Sequence, residues 1–199
     1  MSRYVHRAAG LFRFALIAVP FAICGCTNRT PLDRAGISEL NPPTSWKRVD
    51  SKRFLVPGTA LASWTGPDGA SLVVFRGLPA PRVNASGLLK EQTVRLENLP
   101  EMRIVNATTI KLAGIDAAKL TMVAPGTGDS LAATGLGKAT PLEGKSLMPT
   151  RRTSLGIPRE ADTLWLVWHY PEAMESKFGP QIDDMIRGLA IHNPASSSY

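Results

Sequence analysis

The sequence predicts an α+β domain in which a mostly antiparallel sheet packs against two helices. Several short apolar or alternating segments, bounded by Gly, Pro and Asp, are typical of strands joined by turns. Two longer segments have apolar residues at helical spacing. The resulting order is two or three strands, a helix, four strands and a final helix. Strands that follow one another through short turns pair antiparallel, and the helices then cover the sheet.

The first clear strands are predicted at Thr59 to Trp64 and Ala70 to Arg76. The stretch Thr65-Gly66-Pro67-Asp68-Gly69 separates them and combines the Pro and Asp-Gly signals of a tight turn. Within the second strand, Leu72-Val73-Val74-Phe75 is apolar on both faces. This pattern predicts an interior position in the sheet.

A helix is predicted to follow, because Asn84 is a good N-cap and apolar residues recur at helical spacing up to about Leu96. The stripe consists of Ala85, Leu88, Leu89, Leu96 and Leu99. Beyond the helix, Arg103 to Leu112 and Ile115 to Val123 are predicted to form a hairpin that turns at Gly114.

Two further strands, Thr150 to Leu155 and Thr163 to Tyr170, precede the last helix. The second of them has bulky residues on both faces, which again predicts an interior position. Helical spacing defines the last element through Ile182, Met185, Ile186 and Leu189. We expect Pro180 in its first turn, with Met174 and Phe178 extending the stripe before a kink.

This element order resembles the Mog1/PsbP-like fold, in which helices sandwich a sheet and the C-terminal helix follows the last strand. The resemblance covers about Trp46 to Ile191 and includes the segments Trp64 to Gly69 and Leu164 to Trp168. It implies an accessory, assembly or binding protein rather than an enzyme. It carries over no functional residue.

The N-terminus has the pattern of a secretory signal. Arg3, Arg7 and Arg13 give it positive charge, and Leu11 to Ile23 is apolar apart from Arg13 and Pro20. The uninterrupted apolar stretch is about a dozen residues long, whereas a membrane-spanning helix needs roughly 20. We therefore predict a signal peptide rather than a transmembrane anchor.

The signal ends at Ile23-Cys24-Gly25-Cys26, which resembles the lipobox of bacterial lipoproteins. The resemblance implies cleavage after Gly25 and a diacylglycerol thioether on Cys26, with palmitate as a typical acyl chain. Two acyl chains anchor a protein stably, whereas one holds it only marginally. Thr27 stands where inner-membrane-retained lipoproteins of some Gram-negative bacteria carry Asp. The outer membrane, facing the periplasm, is therefore favoured over the inner membrane. An ordinary signal peptide with incidental cysteines is the alternative.

The composition of the remaining chain excludes several function classes. Cleavage would leave 174 of the 199 residues, enough for one hydrophobic core, and lower the net charge from +7 to +4. That charge suits weak attraction to anionic lipid or cell-wall polymers and does not predict nucleic-acid binding. With Cys24 removed and Cys26 acylated, no thiol remains for a disulfide, a metal site or a nucleophile. No cofactor is predicted.

Four regions are predicted along the chain: a signal peptide at 1–25, a flexible tether at 26–44, a single α+β domain at 45–192 and a frayed tail at 193–199. The tether is inferred from its Pro and Gly content and few aromatic residues. Residues 125–149 are rich in Gly, Ala, Thr and Ser without periodicity. Such a segment is either a binding region or a surface excursion, and the sequence leaves both open.

Arg151 and Arg152, with Arg159 beyond them, are the most distinctive polar feature and the candidate binding residues. Arginine binds carboxylate or phosphate through two parallel hydrogen bonds. Because alternate residues of a strand point to opposite faces, Arg151 and Arg152 are not expected to form one clamp. Charges that protect an exposed strand from edge pairing are the alternative explanation.

His169 is the histidine predicted inside a regular element. A catalytic histidine needs an orienting carboxylate and a nucleophile within hydrogen-bond reach. Glu160, Asp162 and Glu172 are near in sequence, and Ser154 is a candidate nucleophile across the hairpin, but no Gly-x-Ser-x-Gly motif occurs. We therefore interpret His169 as a residue at a strand end that bonds to a loop, and predict no catalytic residue. No residues have the spacing of a metal site.

Together these features predict a lipid-anchored envelope protein that acts as a non-catalytic binding or assembly accessory. Its partners would be the membrane and an envelope protein. Two alternatives remain open: an envelope hydrolase that uses His169, and a small-ligand carrier with Trp64, Trp165 or Trp168 lining a pocket between helix and sheet.

Overall fold

The structure is a computed structural model that describes residues 30–50, 60–77, 83–99, 102–124, 148–160 and 162–192. Its helices are α1 (Pro31–Arg34), α2 (Ala85–Glu97) and α3 (Glu175–Arg187). Its strands are β1 (Ile37–Glu39), β2 (Lys47–Val49), β3 (Ala60–Thr65), β4 (Ser71–Arg76), β5 (Arg103–Leu112), β6 (Ile115–Ala124), β7 (Thr150–Pro158), β8 (Thr163–Pro171) and β9 (Ala190–Ile191). None of these helices combines the length and apolar character needed to cross a membrane.

Seven strands form one antiparallel sheet in the order β2-β3-β4-β8-β7-β6-β5. β1 and β9 pair separately. Within this sheet β8 lies between β4 and β7 and pairs with both. β4 and β8 are therefore interior strands, as the apolar residues on both of their faces predicted. The predicted α+β class with an antiparallel sheet is therefore confirmed.

Tight turns fix the register of the hairpins. β3 and β4 are joined through Gly66 to Ala70, where Asp68 and Gly69 have φ values of 55° and 80°. β5 and β6 are joined by Ala113 and Gly114, both with positive φ, which is the geometry that matches the twist of a two-residue hairpin. Both turns lie where the sequence predicts them.

Helix α3 covers one face of the sheet and closes the main core. Its buried residues Phe178, Ile182 and Met185 pack in one cluster with Trp168 and Tyr170 of β8. Other members of the cluster include Ile37, Trp46, Ala62, Trp64, Leu72, Val74, Leu155, Ile157, Leu164 and Leu166. This continuous apolar layer is the main source of stability in the described domain.

Helix α2 covers only part of the opposite face. It packs against β5, β6 and β7, with Leu96 contacting Leu120 and Met122 in a second cluster. A third, separate cluster on the same face of the sheet contains Val73, Phe75 and Val167, with Trp165 beside them. The α2 face is therefore divided into two apolar patches.

The tether predicted for residues 26–44 needs correction from Thr30 onward. Ala35 and Ile37 are fully buried and belong to the main core. β1 pairs with β9, and the amide of His192 donates to the carbonyl of Gly36 at 2.9 Å. Proline and glycine in this segment make turns that lead into the fold, instead of marking a linker. Residues 30–44 therefore belong to the described fold and are not a tether.

The last helix begins earlier than predicted. α3 starts at Glu175, so Pro180 lies inside it and not in the first turn. Phe178 and Ile182 lie four residues apart on the buried stripe, one on each side of the proline. Burial of this stripe offsets the backbone hydrogen bond that Pro180 cannot donate.

Several predicted regions lie outside the described residues. These are the signal peptide at 1–25 with Cys26, the segment 125–147 and the tail at 193–199. They stay predictions.

Replacing Ile37 with Ala tests whether the N-terminal segment is part of the core. The variant should lose about 2–4 kcal/mol of unfolding free energy, because it creates a cavity at a buried position. Glu39→Ala, at an exposed position of the same strand, is the control and should change stability little. Urea denaturation of both variants makes the measurement, and equal stability of Ile37→Ala and wild type would restore the tether.

Candidate functional site

The three candidate arginines lie in three different environments. Arg151 and Arg152 are neighbours in β7 and point to opposite faces of the sheet, as the strand period requires. Arg159 follows the last residue of β7. They do not form a common binding site.

Arg151 lies on the α3 face and connects the sheet to the start of the helix. Its Nη1 is 2.9 Å from Oε1 of Glu175, and its Nη2 is 3.9 Å from Oε1 of Glu172. The hydroxyl of Tyr170 donates to Oε2 of Glu175 at 2.5 Å. Burial, and then this hydrogen bond, raise the pKa of Tyr170 well above its ordinary value. These partners account for Arg151 as a structural residue.

Arg159 holds the N-terminal segment against the β7–β8 connection. Its Nε donates to Oδ1 of Asp162 at 2.6 Å, and its Nη1 donates to the carbonyl of Ala35. Asp162 also lies 3.7 Å from Nε of Arg76. The side chain of Arg159 is therefore used within the fold, close to the corrected start of the domain.

Arg152 lies on the α2 face and is buried, with 7% of its surface exposed. It stands opposite Met122 of β6 and opposite His169 of β8. Its Nε has no hydrogen-bond partner, and within the described ranges no carboxylate forms an ion pair with it. Burial lowers the pKa of Arg152 to about 10, so the side chain is still charged at neutral pH.

His169 lies near the end of β8, two residues before Pro171, as predicted, and β8 is an interior strand of the sheet. It stands opposite Ser71 of β4 and Arg152 of β7. Burial, and then the charge of Arg152, lower the pKa of His169 to about 3, so the imidazole is neutral at physiological pH. Its Nε2 is shielded from solvent and lacks a hydrogen-bond partner among the residues that the structure describes.

The residues proposed to make His169 catalytic do not surround it. Ser154 stands opposite Val167, not opposite His169, and its hydroxyl donates to the carbonyl of Leu120. Asp162 pairs with Arg159, as described above. The histidine thus stands opposite a cation where a catalytic triad would need a carboxylate. The geometry does not favour the hydrolase alternative.

The tryptophans do not line one pocket. Trp64 and Trp168 belong to the core on the α3 face. Trp165 lies on the other face and stacks on Phe75, with ring centroids 6.4 Å apart. A Cβ at Gly156 would come within 2.6 Å of the Trp165 ring, so this indole lies directly on the strand backbone. Packing explains all three residues.

Titratable side chains do not gather into a metal site in the described part of the chain. No group of three or more His, Cys, Asp or Glu residues occurs there with ligand geometry. The feature that the sequence did not predict is the pair of Arg152 and His169. The sequence shows that His169 shares a face of β8 with Trp165 and Val167. It does not show which residue of the neighbouring strand stands opposite His169, because that depends on the strand register.

Replacing His169 with Gln tests its buried neutral state. A histidine whose folded pKa is depressed to about 3 stabilises the fold fully above its unfolded pKa of about 6.5. That stability is lost as the pH falls toward the folded value. Between pH 7.5 and 5, the wild type should therefore lose about 2 kcal/mol of unfolding free energy that His169→Gln retains.

The measurement is urea denaturation at both pH values, with the pH-dependent loss taken within each protein. His192→Gln, which removes an exposed histidine, is the matched control and should behave as wild type. Identical pH dependence of His169→Gln and wild type would contradict the buried neutral state.

Comparison with known proteins identifies the fold. The sequence matches no protein-family model and no curated protein. PsbP (CyanoP) from Synechocystis sp. PCC 6803 is 12% identical, with 87% of this chain and 100% of that chain covered and a TM-score of 0.50. LpqN from Mycobacterium tuberculosis, involved in cell envelope biogenesis, is 13% identical over 77% of this chain and 82% of its own, with a TM-score of 0.48.

The Ran-binding protein Mog1p from Saccharomyces cerevisiae is 10% identical, with 80% and 98% of the two chains covered and a TM-score of 0.45. The match to PsbP, at 12% identity and a TM-score of 0.50, shows a shared fold and nothing finer. The chain has a Mog1/PsbP-like fold, as its element order predicted.

Proposed function

We propose that the protein is a bacterial envelope lipoprotein, anchored through Cys26, whose domain acts as a non-catalytic binding or assembly accessory. The lipobox-like sequence supports the anchor. The observation that supports the functional part is that Thr30, which already belongs to the described fold as the cap of α1, lies only four residues after Cys26 in the sequence.

The short connection restricts the domain to the membrane surface. Four extended residues reach about 14 Å, whereas a tether as far as Trp46 would reach about 65 Å. The side chain of Thr30 caps α1 and accepts a hydrogen bond from the amide of Asp33 at 3.2 Å. The end of the domain that carries α1, β1 and β9 is therefore the end next to the bilayer in this proposal.

A domain held in this way meets its partners in a thin layer. Confinement raises its effective concentration toward any envelope protein in the same layer, without any new contact. A restricted orientation adds to this effect, because fewer rotational states are lost on binding. The proposal therefore gives the anchor a direct role in partner binding, and the outer membrane is its proposed location.

Metabolic labelling with an alkyne-bearing fatty acid tests the anchor. Wild type and Cys24→Ala should both be labelled, because Ala keeps a small residue at that lipobox position. Cys26→Ala should be unlabelled and should leave the membrane fraction. Labelling of Cys26→Ala, or loss of label in Cys24→Ala alone, would contradict the assignment.

Crosslinking in living cells, followed by affinity purification and mass spectrometry, tests the accessory role with the same three proteins. Wild type and Cys24→Ala should recover one specific envelope protein, and Cys26→Ala should recover much less of it. Equal recovery by all three would show that the anchor does not contribute to binding.

A further inference from the structure

Strand β5 forms one edge of the seven-stranded sheet and pairs, among the described strands, with β6 alone. It is 10 residues long, and its register with β6 is regular from Asn106 to Leu112. No charged residue occurs between Arg103 and Lys111, and the strand contains no proline. A long, regular edge strand with few charges is a template for pairing with another strand.

The opposite edge of the same sheet is protected against such pairing. β2 is only 3 residues long, and Lys47 and Arg48 are exposed on it. The guanidinium of Arg48 lies 5.7 Å from the centroid of the Trp64 ring, so its charge is held at this edge. Short length and basic side chains are the common means of blocking an edge strand. β5 has neither of them along its regular stretch.

The turn between β5 and β6 decides which backbone groups of β5 face outward. The two residues that flank a two-residue turn exchange both of their hydrogen bonds, and the residues of the strand then alternate. Ala107, Thr109 and Lys111 therefore point their N–H and C=O groups away from β6, and all three are exposed. Within the described ranges, the one contact to these groups comes from the hydroxyl of Thr108, which donates to the carbonyl of Thr109 at 3.3 Å.

A second copy of the chain fits this edge. Two copies of one antiparallel strand are related by a two-fold axis perpendicular to the sheet, so one residue stands opposite itself. The regular stretch from Asn106 to Leu112 is centred on Thr109, so an axis at Thr109 uses all of it. Lys111 of one copy then stands opposite Ala107 of the other, whereas an axis at Ala107 would place Lys111 opposite Arg103. Like charges directly opposite each other are destabilising, which favours the axis at Thr109.

The same axis keeps the two faces of the sheet on their own sides. The N-terminal segment lies on the α3 face, since Ala35 and Ile37 belong to the main core. A two-fold axis perpendicular to the sheet therefore leaves the N-terminal segments of both copies on one side of the joined sheet. Two copies paired in this way are compatible with two lipid anchors in one membrane.

We propose that β5 pairs antiparallel with β5 of a second copy, with Thr109 at the two-fold axis. Thr109 exchanges both backbone hydrogen bonds with Thr109 of the second copy, and Ala107 does so with Lys111. The two sheets become one continuous sheet. This pairing involves fewer residues than the roughly 20 to 30 per side of a standard interface, so we expect a weak dimer. The proposal goes beyond the accessory role, and its test does not use the anchor.

A single introduced cysteine tests the position of the axis. The protein is the chain from Thr27 to Tyr199, which contains every described residue and neither native cysteine. Thr109→Cys should form a disulfide-linked dimer under mild oxidation, because the Cα atoms of a hydrogen-bonded antiparallel pair are about 5.5 Å apart, as a disulfide requires. Lys111→Cys is the matched control and should not crosslink, because the two copies of this position are about 14 Å apart along the strands.

Sedimentation equilibrium tests the interface itself. Wild type should change from monomer to dimer between about 1 and 300 μM. Thr109→Pro removes the outward N–H at the axis and should raise the dissociation constant at least about tenfold, whereas Thr109→Ala keeps this N–H and should behave as wild type. Ala107→Glu should lower the dissociation constant at least about twofold, because glutamate would stand opposite Lys111, and Ala107→Lys should raise it. Circular dichroism confirms that each variant is folded, and Ala107→Lys carries the test if Thr109→Pro is not.

Each other result would overturn the proposal in a distinct way. A monomer at every concentration, without a crosslink in Thr109→Cys, would show that a second copy does not bind this edge. A dimer that Thr109→Pro and Ala107→Lys leave unchanged would place the interface elsewhere. Equal crosslinking of Thr109→Cys and Lys111→Cys would indicate random collision instead of strand pairing. A dimer that Thr109→Pro weakens but Thr109→Cys does not crosslink would contradict the axis at Thr109.

Discussion

The pairing of β8 with β4 on one side and with β7 on the other determines what the side chains on both sheet faces can contact. Successive residues of β8 alternate between the faces, so Trp168 enters the α3 core while His169 faces away from it. A slip of one residue in the register of β8 would turn each of its side chains to the opposite face and place the polar His169 against α3. The apolar residues that pack against Phe178 and Ile182 of α3 therefore hold the register that brings Arg152 to His169.

The two faces consequently have different chemistry. On the α3 face, charges lie at the margin of the core, where Arg151 meets Glu175 and Lys119 lies 2.7 Å from Asp183. These ion pairs connect the helix to the sheet without taking a charge into the apolar layer. On the α2 face, Arg152 is buried inside the sheet surface itself, beside a neutral histidine. Arg152 and His169 are among the described residues that have a buried polar atom without a hydrogen-bond partner, and such residues are expected at functional sites.

The sequence predicts elements better than it predicts neighbours. Alternation in β8, the turn at Asp68 and Gly69, and the N-cap of α2 each depend on local residues, and all three were predicted correctly. The packing of Ala35 and Ile37 was missed because Pro and Gly in that segment are equally typical of a linker. Contacts between distant segments decided its structure.

The candidate site shows the same limit. The opposite orientation of Arg151 and Arg152 follows from the strand period, and it was predicted. The pairing of Arg152 with His169 depends on register between β7 and β8, and the burial of both depends on the sheet as a whole. The orphaned atoms that distinguish Arg152 from Arg159 therefore become visible only in three dimensions.

The central claim is that Arg152 carries a buried charge that no carboxylate in the described ranges neutralises. The unfolding free energy of Arg152→Met, measured by urea denaturation, tests it most directly. Methionine fills similar space without a charge, so the account predicts unchanged or increased stability. Arg151→Met, one residue away, is the control and should lose about 1–3 kcal/mol with its carboxylate partner. A loss of about 3–5 kcal/mol in Arg152→Met would contradict the account, because breaking a buried ion pair has that effect.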